Sequence, residues 1–208
     1  MPAKLAYPLA MLQRGEWHDP FGVLGRQAVG DTEIVRAFMP SAEAVELDGI
    51  GPLQRIPNTD IFELSLDGAQ LTELPAHYRL NWTEKADGER YSQISPYSFA
   101  PLLADLDLHL FSEGRHHHIY RLLGAHCLQV DGIDGCRFAV WAPGVRRASV
   151  VGEFNGWTGH RHPMRNRGGS GVWVLFVPCL RAGDLYKFEF ISHAVHPILK
   201  ADPYGQSM

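Results

Sequence analysis

The feature that most constrains this chain is an internal repeat. The segment RAFMPSAEAVELDG (36–49) returns as AVWAPGVRRASVVG (139–152), with Pro40 matching Pro143 and Gly49 matching Gly152 at a constant offset of 103. IFELSL (61–66) then matches VWVLFV (172–177), with Phe62 falling on Trp173. YRLNW (78–82) matches YKFEF (186–190), pairing Tyr78 with Tyr186 and Arg79 with Lys187, and Pro96-Tyr97 matches Pro203-Tyr204. Matches in the same order, at offsets of 103 to 111, describe a duplicated unit rather than one continuous domain. Within each copy, short runs rich in β-branched and aromatic residues are bounded by Pro, Gly and Asn, the signature of short strands joined by turns. Each copy is the size of a small sandwich of six to eight strands.

The predicted fold is therefore all-β: two tandem immunoglobulin-like antiparallel β-sandwiches, with a short N-terminal helix and a short helical joint. The expected boundaries are 1–100 for the first sandwich with its leading helix, 101–119 for the joint, and 120–208 for the second sandwich. The helix is expected over 3–14, where Leu5, Leu9 and Leu12 recur at spacings of four and three ahead of Gly15. Pro8 inside that span leaves its start uncertain. Residues 99–124 carry Leu102, Leu103, Leu106, Leu108, Leu110 and Phe111, too apolar for a free linker, so one or two packed helical turns are expected there.

Composition excludes several classes. Of 208 residues 45% are apolar and 20% charged, enough to build sizeable cores. A net charge of -4 argues against nucleic acid as a partner. The balance is uneven: residues 1–100 hold 8 Lys+Arg against 14 Asp+Glu, whereas 9 of the 11 histidines lie in the second half. The N-terminus has no apolar signal core and no run of 18 apolar residues occurs, so the expectation is a cytoplasmic chain with no membrane partner. Cys127, Cys136 and Cys179 are odd in number and form no CxxC pair, and are read as reduced thiols.

No catalytic constellation emerges. The triplet His116-His117-His118 suggests a metal site, yet adjacent residues on a helix or strand diverge and cannot converge on one ion. His160 and His162 are expected in a solvated loop. No metal and no cofactor are therefore assigned. Glu153 with Asp184, or Asp105 with Asp107, could be offered as glycosidase carboxylates, but nothing in the sequence brings either pair to face one bond. Phosphate loops and nucleophile elbows are absent.

The stretch from Gly135 to Met164 carries the strongest functional signal. After two strands it enters a Gly/Asn-rich turn bearing Phe154, Asn155 and Trp157. A flat ring on such a turn can cover the apolar face of a pyranose, with Asn155 and Lys187 as hydrogen-bond partners. The alternative is that Trp157 packs on its own sandwich or on a neighbouring domain. Trp141 and Trp173, in strand contexts, are expected in the core.

The strings WHDPFGVLG (17–25), LGAH followed by DGIDGCRFAVWAP, then VVGEFNGW, RHPMRNRGGSGVW and LYKFE, resemble the N-terminal region of bacterial 1,4-α-glucan branching enzymes of the longer type. In that family two sandwich modules precede a catalytic (β/α)8 barrel. The resemblance implies a cytoplasmic role in glycogen biosynthesis, with α-glucans (glycogen and maltooligosaccharides) and a catalytic barrel as partners. The family cuts an α-1,4 chain and rejoins it through an α-1,6 bond, using an Asp nucleophile and a Glu acid/base. Those positions lie beyond residue 208 in the family pattern, so no catalytic residue maps onto this chain and it is expected to be inactive alone. In related glycogen-binding modules two Trp and a Lys clasp the glucan. Trp157 and Lys187 match one Trp and the Lys, while the second Trp would fall within 193–199, where there is none. Two other roles remain open: a stand-alone glucan-binding module, and a module that docks a separate catalytic chain.

Overall fold

In the computed structural model the backbone is described for residues 3–192 and 196–205, with side chains described from residue 7 onward. The chain divides into two compact units, one of residues 1–15 with 20–99 and one of residues 16–19 with 100–208. Among the described residues no helix is long and apolar enough to cross a membrane.

The first unit begins with α1 (Ala3–Gln13), which contains Pro8. It stops at Gly15, whose φ of 68° permits the left-handed turn that returns its N–H to Leu12 O at 2.9 Å. Leu9 and Leu12 are buried, and the Gln13 amide clamps Asp60 by donating to its carboxylate (3.0 Å) and accepting from its backbone N–H (2.9 Å). Seven strands follow: β1 (Gly25–Val29), β2 (Thr32–Phe38), β3 (Ala42–Leu47), β4 (Gly51–Arg55), β5 (Ile61–Leu66), β6 (Arg79–Glu84) and β7 (Arg90–Ile94). They form one antiparallel sheet in the order β1-β2-β5-β4-β3-β6-β7. The strand β4 turns this sheet into two layers: Leu53 pairs with Val45 on β3, and Gln54 pairs with Glu63 on β5. Val35, Phe62, Val45, Leu47, Leu80 and Trp82, drawn from both halves, share one buried core. The helix α2 (Gly68–Glu73) bridges β5 to β6, opened by a capping box in which Asp67 accepts from Gln70 N–H and the Gln70 side chain accepts from Asp67 N–H.

The second unit contains α3 (Asp105–Ser112), β8 (Gly124–Val130), β9 (Ile133–Trp141), β10 (Arg147–Gly152), β11 (Arg165–Asn166), β12 (Val172–Pro178), β13 (Tyr186–Ile191) and β14 (Pro197–Lys200). Two antiparallel sheets, β11-β12-β9-β8 and β10-β13-β14, make the sandwich. Strand for strand this is the order of the first unit. The part of β4 is taken by the segment around β11, where Pro163 bridges to Ser149 on β10 while Arg165 and Asn166 pair with β12. The two units thus share one topology, and the repeat read in the sequence is a repeat of strand order.

Alternation along the strands sorts the faces of this second sandwich. Phe138 packs edge-on against Tyr186, and Tyr186 against Phe188, so these residues with Val140, Val150, Trp173 and Leu175 fill the space between the sheets. Trp173 is 0% exposed, as its strand context suggests, and its indole N–H donates to Ala142 O at 3.0 Å. The outer face of the four-stranded sheet is covered by the joint, where Leu103, Leu108, Leu122 and Leu123 pack on Ala139, Val172 and Val174. The helical turns expected in 99–124 are α3 and the 3-10 turn Ile119–Arg121.

Two expectations are corrected. Cys127 and Cys136 are not free thiols: the β8–β9 register sets them directly opposite, with Cα atoms 4.0 Å apart, and they form a disulfide, leaving Cys179 free and exposed. Their separation of nine residues shows this only once the hairpin register is known. Trp141 is not core but 54% exposed, because it is the last residue of β9 and stands at the margin of the layer that α3 covers.

Candidate functional site

Strand β10 ends at Gly152, where a side chain would collide with Phe154 and with Leu185 O, so the backbone turns there against a glycine. The 3-10 turn Glu153–Asn155 follows. Asn155 is 2% exposed, and its amide is spent inside the protein. Its Oδ1 accepts from Gly152 N–H (3.0 Å), and its Nδ2 donates to Val150 O (2.9 Å) and lies 2.8 Å from His162 Nδ1. The expected direct hydrogen bond from Asn155 to a sugar is corrected accordingly: this side chain builds the turn and does not face solvent.

His162 is buried, not solvated as the sequence reading expects. Burial, reinforced by the neighbouring Arg161 charge, pushes its imidazole down to about 3. The ring is therefore neutral at ordinary pH, and its unprotonated Nδ1 accepts from Asn155. Phe154 packs edge-on against the same ring at 5.5 Å.

This buried set holds Trp157. Gly156 and Trp157 are both left-handed, with φ of 63° and 59°, and Trp157 N–H donates to Gly152 O at 2.9 Å. A bulky residue in that region costs on the order of 1–3 kcal/mol and persists only where its surroundings over-determine it. The indole is 40% exposed. Beyond it the turn folds over the outer face of β10 and β13, where Gly159 lies against the Arg147–Glu189 ion pair, whose carboxylate would have to move aside for a Cβ.

Lys187 is exposed on that same outer face. It stands opposite Val151, two residues before Glu189, which stands opposite Ser149. The pairing of Leu199 with Glu189 gives Leu199 that side too, and Leu185, immediately before β13, is exposed as Leu199 is. The outer face of β13 and β14 thus carries an ammonium and an aliphatic side chain, and the turn that bears the Trp157 indole folds over it, groups able to take the apolar face of a polyol and to donate to its hydroxyls. Of the span expected to hold a second Trp, residues 193–195 lie outside the described residues, and Leu199 stands at its far end. Sequence reasoning missed Leu185 and Leu199, although the alternation through LYKFEF already sets Leu185 in phase with Lys187.

The remaining candidates are accounted for individually. Asp105 pairs with Arg167 at 2.6 Å, and Asp107 lies 3.5 Å from His116. His118 packs edge-on against Tyr120. Glu153 sits exposed in the turn, while Asp184 accepts from Arg181 N–H at 2.8 Å.

Comparison with known proteins divides the chain in the same two parts. Residues 6–97 match the model of the alpha-1,4-glucan branching enzyme GlgB N-terminal domain, and residues 122–205 match carbohydrate-binding module 48, the isoamylase N-terminal domain. The chain is 52% identical over 206 residues to the 1,4-alpha-glucan branching enzyme GlgB of Methylococcus capsulatus, covering 98% of this chain and 27% of that protein. It is 48% identical over 198 residues to the enzyme of the same name from Hydrogenovibrio crunogenus, and 52% over 202 residues to that of Thiobacillus denitrificans, covering 95% and 97% of this chain and 27% of each relative. The chain therefore spans about a quarter of the length of these relatives. A pullulanase structure from Anoxybacillus sp. LM18-11 is similar over 88% of this chain and 26% of its own, at 15% identity and a TM-score of 0.34, too low to carry an argument. Together the two matched segments place the chain in the 1,4-alpha-glucan branching enzyme family, as the counterpart of its N-terminal, non-catalytic region.

Proposed function

We propose that the second unit binds α-glucan chains through the outer face of β10, β13 and β14, and so holds substrate for a branching enzyme of glycogen biosynthesis. Trp157 is the stacking platform, Lys187 donates to sugar hydroxyls, and Leu185 and Leu199 extend the apolar contact. Asn155 serves indirectly, by fixing the turn that presents the indole. The observation that carries this reading is Trp157 itself: a partly exposed indole in a left-handed conformation, anchored from below by a buried Asn-His pair. A structural turn would be served better by glycine at such a φ, so retaining a Trp there argues for use of its side chain.

In this reading the parent activity is transfer of α-1,4 glucan segments into α-1,6 branches, performed in the cytoplasm by a catalytic barrel that this region accompanies. One stacked ring with few hydrogen bonds leaves only a few kcal/mol after the costs of association, which corresponds to a dissociation constant of order millimolar. Affinity electrophoresis in gels containing amylose tests the site. The wild-type chain should be retarded, Trp157→Ala should run as in a glucan-free gel, and Lys187→Ala should fall between them. Equal mobility of wild type and Trp157→Ala would remove Trp157 from the role.

A further inference from the structure

We propose that Trp141 forms a second α-glucan platform on the second unit, on the outer face of the sheet opposite the one that carries Trp157. The inference deepens the glucan-binding reading above and rests on it for the ligand class. Two tryptophans in the same sheet have opposite fates. Trp173 is wholly buried and its N–H is used within the protein, whereas Trp141 is 54% exposed and its indole makes no hydrogen bond among the described residues. Its strand pairs across to β12, with Trp141 opposite Val172, and the next residue fastens the strand end by donating from Ala142 N–H to Gly171 O at 2.9 Å. The indole is therefore presented on rigid backbone, not on a loop.

The surroundings shape a small site. Phe111 of α3 packs edge-on against the indole with ring centres 6.1 Å apart, supporting it from one side. Gly171, with φ of 70°, lies beside the N–H edge: a Cβ there would stand 3.2 Å from Trp141 Nε1 and 3.1 Å from Pro143 Cβ. Glycine thus keeps that edge open for an acceptor. The rim is polar. Arg167, whose N–H donates to Val172 O directly across from Trp141, forms an ion pair with Asp105 of α3 at 2.6 Å. An exposed ring braced on one side by Phe111, with its N–H edge left open, suits a pyranose, which offers an apolar C–H face ringed by hydroxyls.

Platforms on opposite faces cannot close on one short oligosaccharide, but both can engage a polymer. The unit should then show avidity: weak binding to maltoheptaose at each face, and disproportionate retention on insoluble amylose.

The test uses the 15N-labelled 208-residue chain, with the five indole N–H signals assigned by single Trp→Phe variants. Maltoheptaose is added to about 50 mM, well above a millimolar dissociation constant. The expected result is that the Trp141 and Trp157 signals both move and saturate separately, and that the Trp141 response persists in Trp157→Ala. Trp141→Tyr should keep part of the response, and Trp141→Ala with Trp157→Ala together should lower retention on amylose by more than about tenfold. A stationary Trp141 signal while Trp157 saturates overturns this inference and leaves the proposed function standing. If neither signal moves, both fail. If the Trp141 signal changes with protein concentration in the absence of sugar, the face is a contact between copies of the chain and the inference is overturned.

Discussion

Trp157, Asn155 and His162 act as one device, and each makes a separate forecast. Trp157→Gly should leave the melting temperature unchanged or raise it by a few degrees, because glycine relieves the left-handed backbone, while glucan binding is lost. Asn155→Ala strands Gly152 N–H and Val150 O and removes the donor to His162, so differential scanning calorimetry should show a loss of about 2–4 kcal/mol, accompanied by weaker glucan binding. His162 gives the pH dependence. Its folded value lies below its unfolded one, so between pH 6.5 and about 3 the unfolded chain takes up a proton that the folded chain refuses. Stability attributable to this residue is intact above pH 6.5 and falls by at most about 1.4 kcal/mol per unit as pH drops through that window. Thermal melts from pH 7 to pH 4 should be steeper in pH for wild type than for His162→Gln; parallel curves would show that the imidazole is not held neutral by the fold. Of these residues the sequence revealed Trp157 as a turn aromatic, but not that Asn155 and His162 turn inward, because their burial depends on the 162–164 segment running back along β10.

At the scale of elements, strands were legible and their edges were not. Alternating patterns and Pro-Gly breaks mark β9, β10, β12 and β13, and the repeat carries the same reading to the first unit. The short segment at β11 was missed: its Pro163 bridges one sheet while Arg165 and Asn166 pair with the other, and so brief a crossing has no hydrophobic period to detect. The sequence reads Trp141 as core because it follows the alternation of β9, yet its position at the strand end, next to the break at Pro143, leaves it at the margin of the layer that α3 covers, in contact with Phe111. The disulfide likewise depends on register and not on spacing. The joint between β10 and its turn makes a prediction of its own. A methyl group in Gly152→Ala would meet Leu185 O and the Phe154 ring, so β10 or the turn must shift. The expected cost is about 1–3 kcal/mol of stability, with loss of amylose retardation because the platform moves with the turn. Unchanged retardation would separate the turn from the binding face.

For the whole molecule, the chain shares one strand order between its two units, and the proposed glucan face lies on the second. The relatives it matches are nearly four times as long, and the carboxylates Asp105 and Asp107 are engaged with Arg167 and His116. The chain alone should therefore leave the iodine spectrum of amylose unchanged after prolonged incubation, and new α-1,6 linkages above a heat-treated control would contradict its reading as a non-catalytic region. Its proposed contribution is to hold glucan, and that proposal is tested most directly by titrating maltoheptaose against the intrinsic tryptophan fluorescence of the wild-type chain and of Trp157→Ala. The account predicts a saturable change in the wild type with a dissociation constant of order millimolar, most of which is lost in Trp157→Ala while the melting temperature is kept. No saturable response in the wild type, or a variant that loses melting temperature but keeps the response, would contradict it and make this face a structural one.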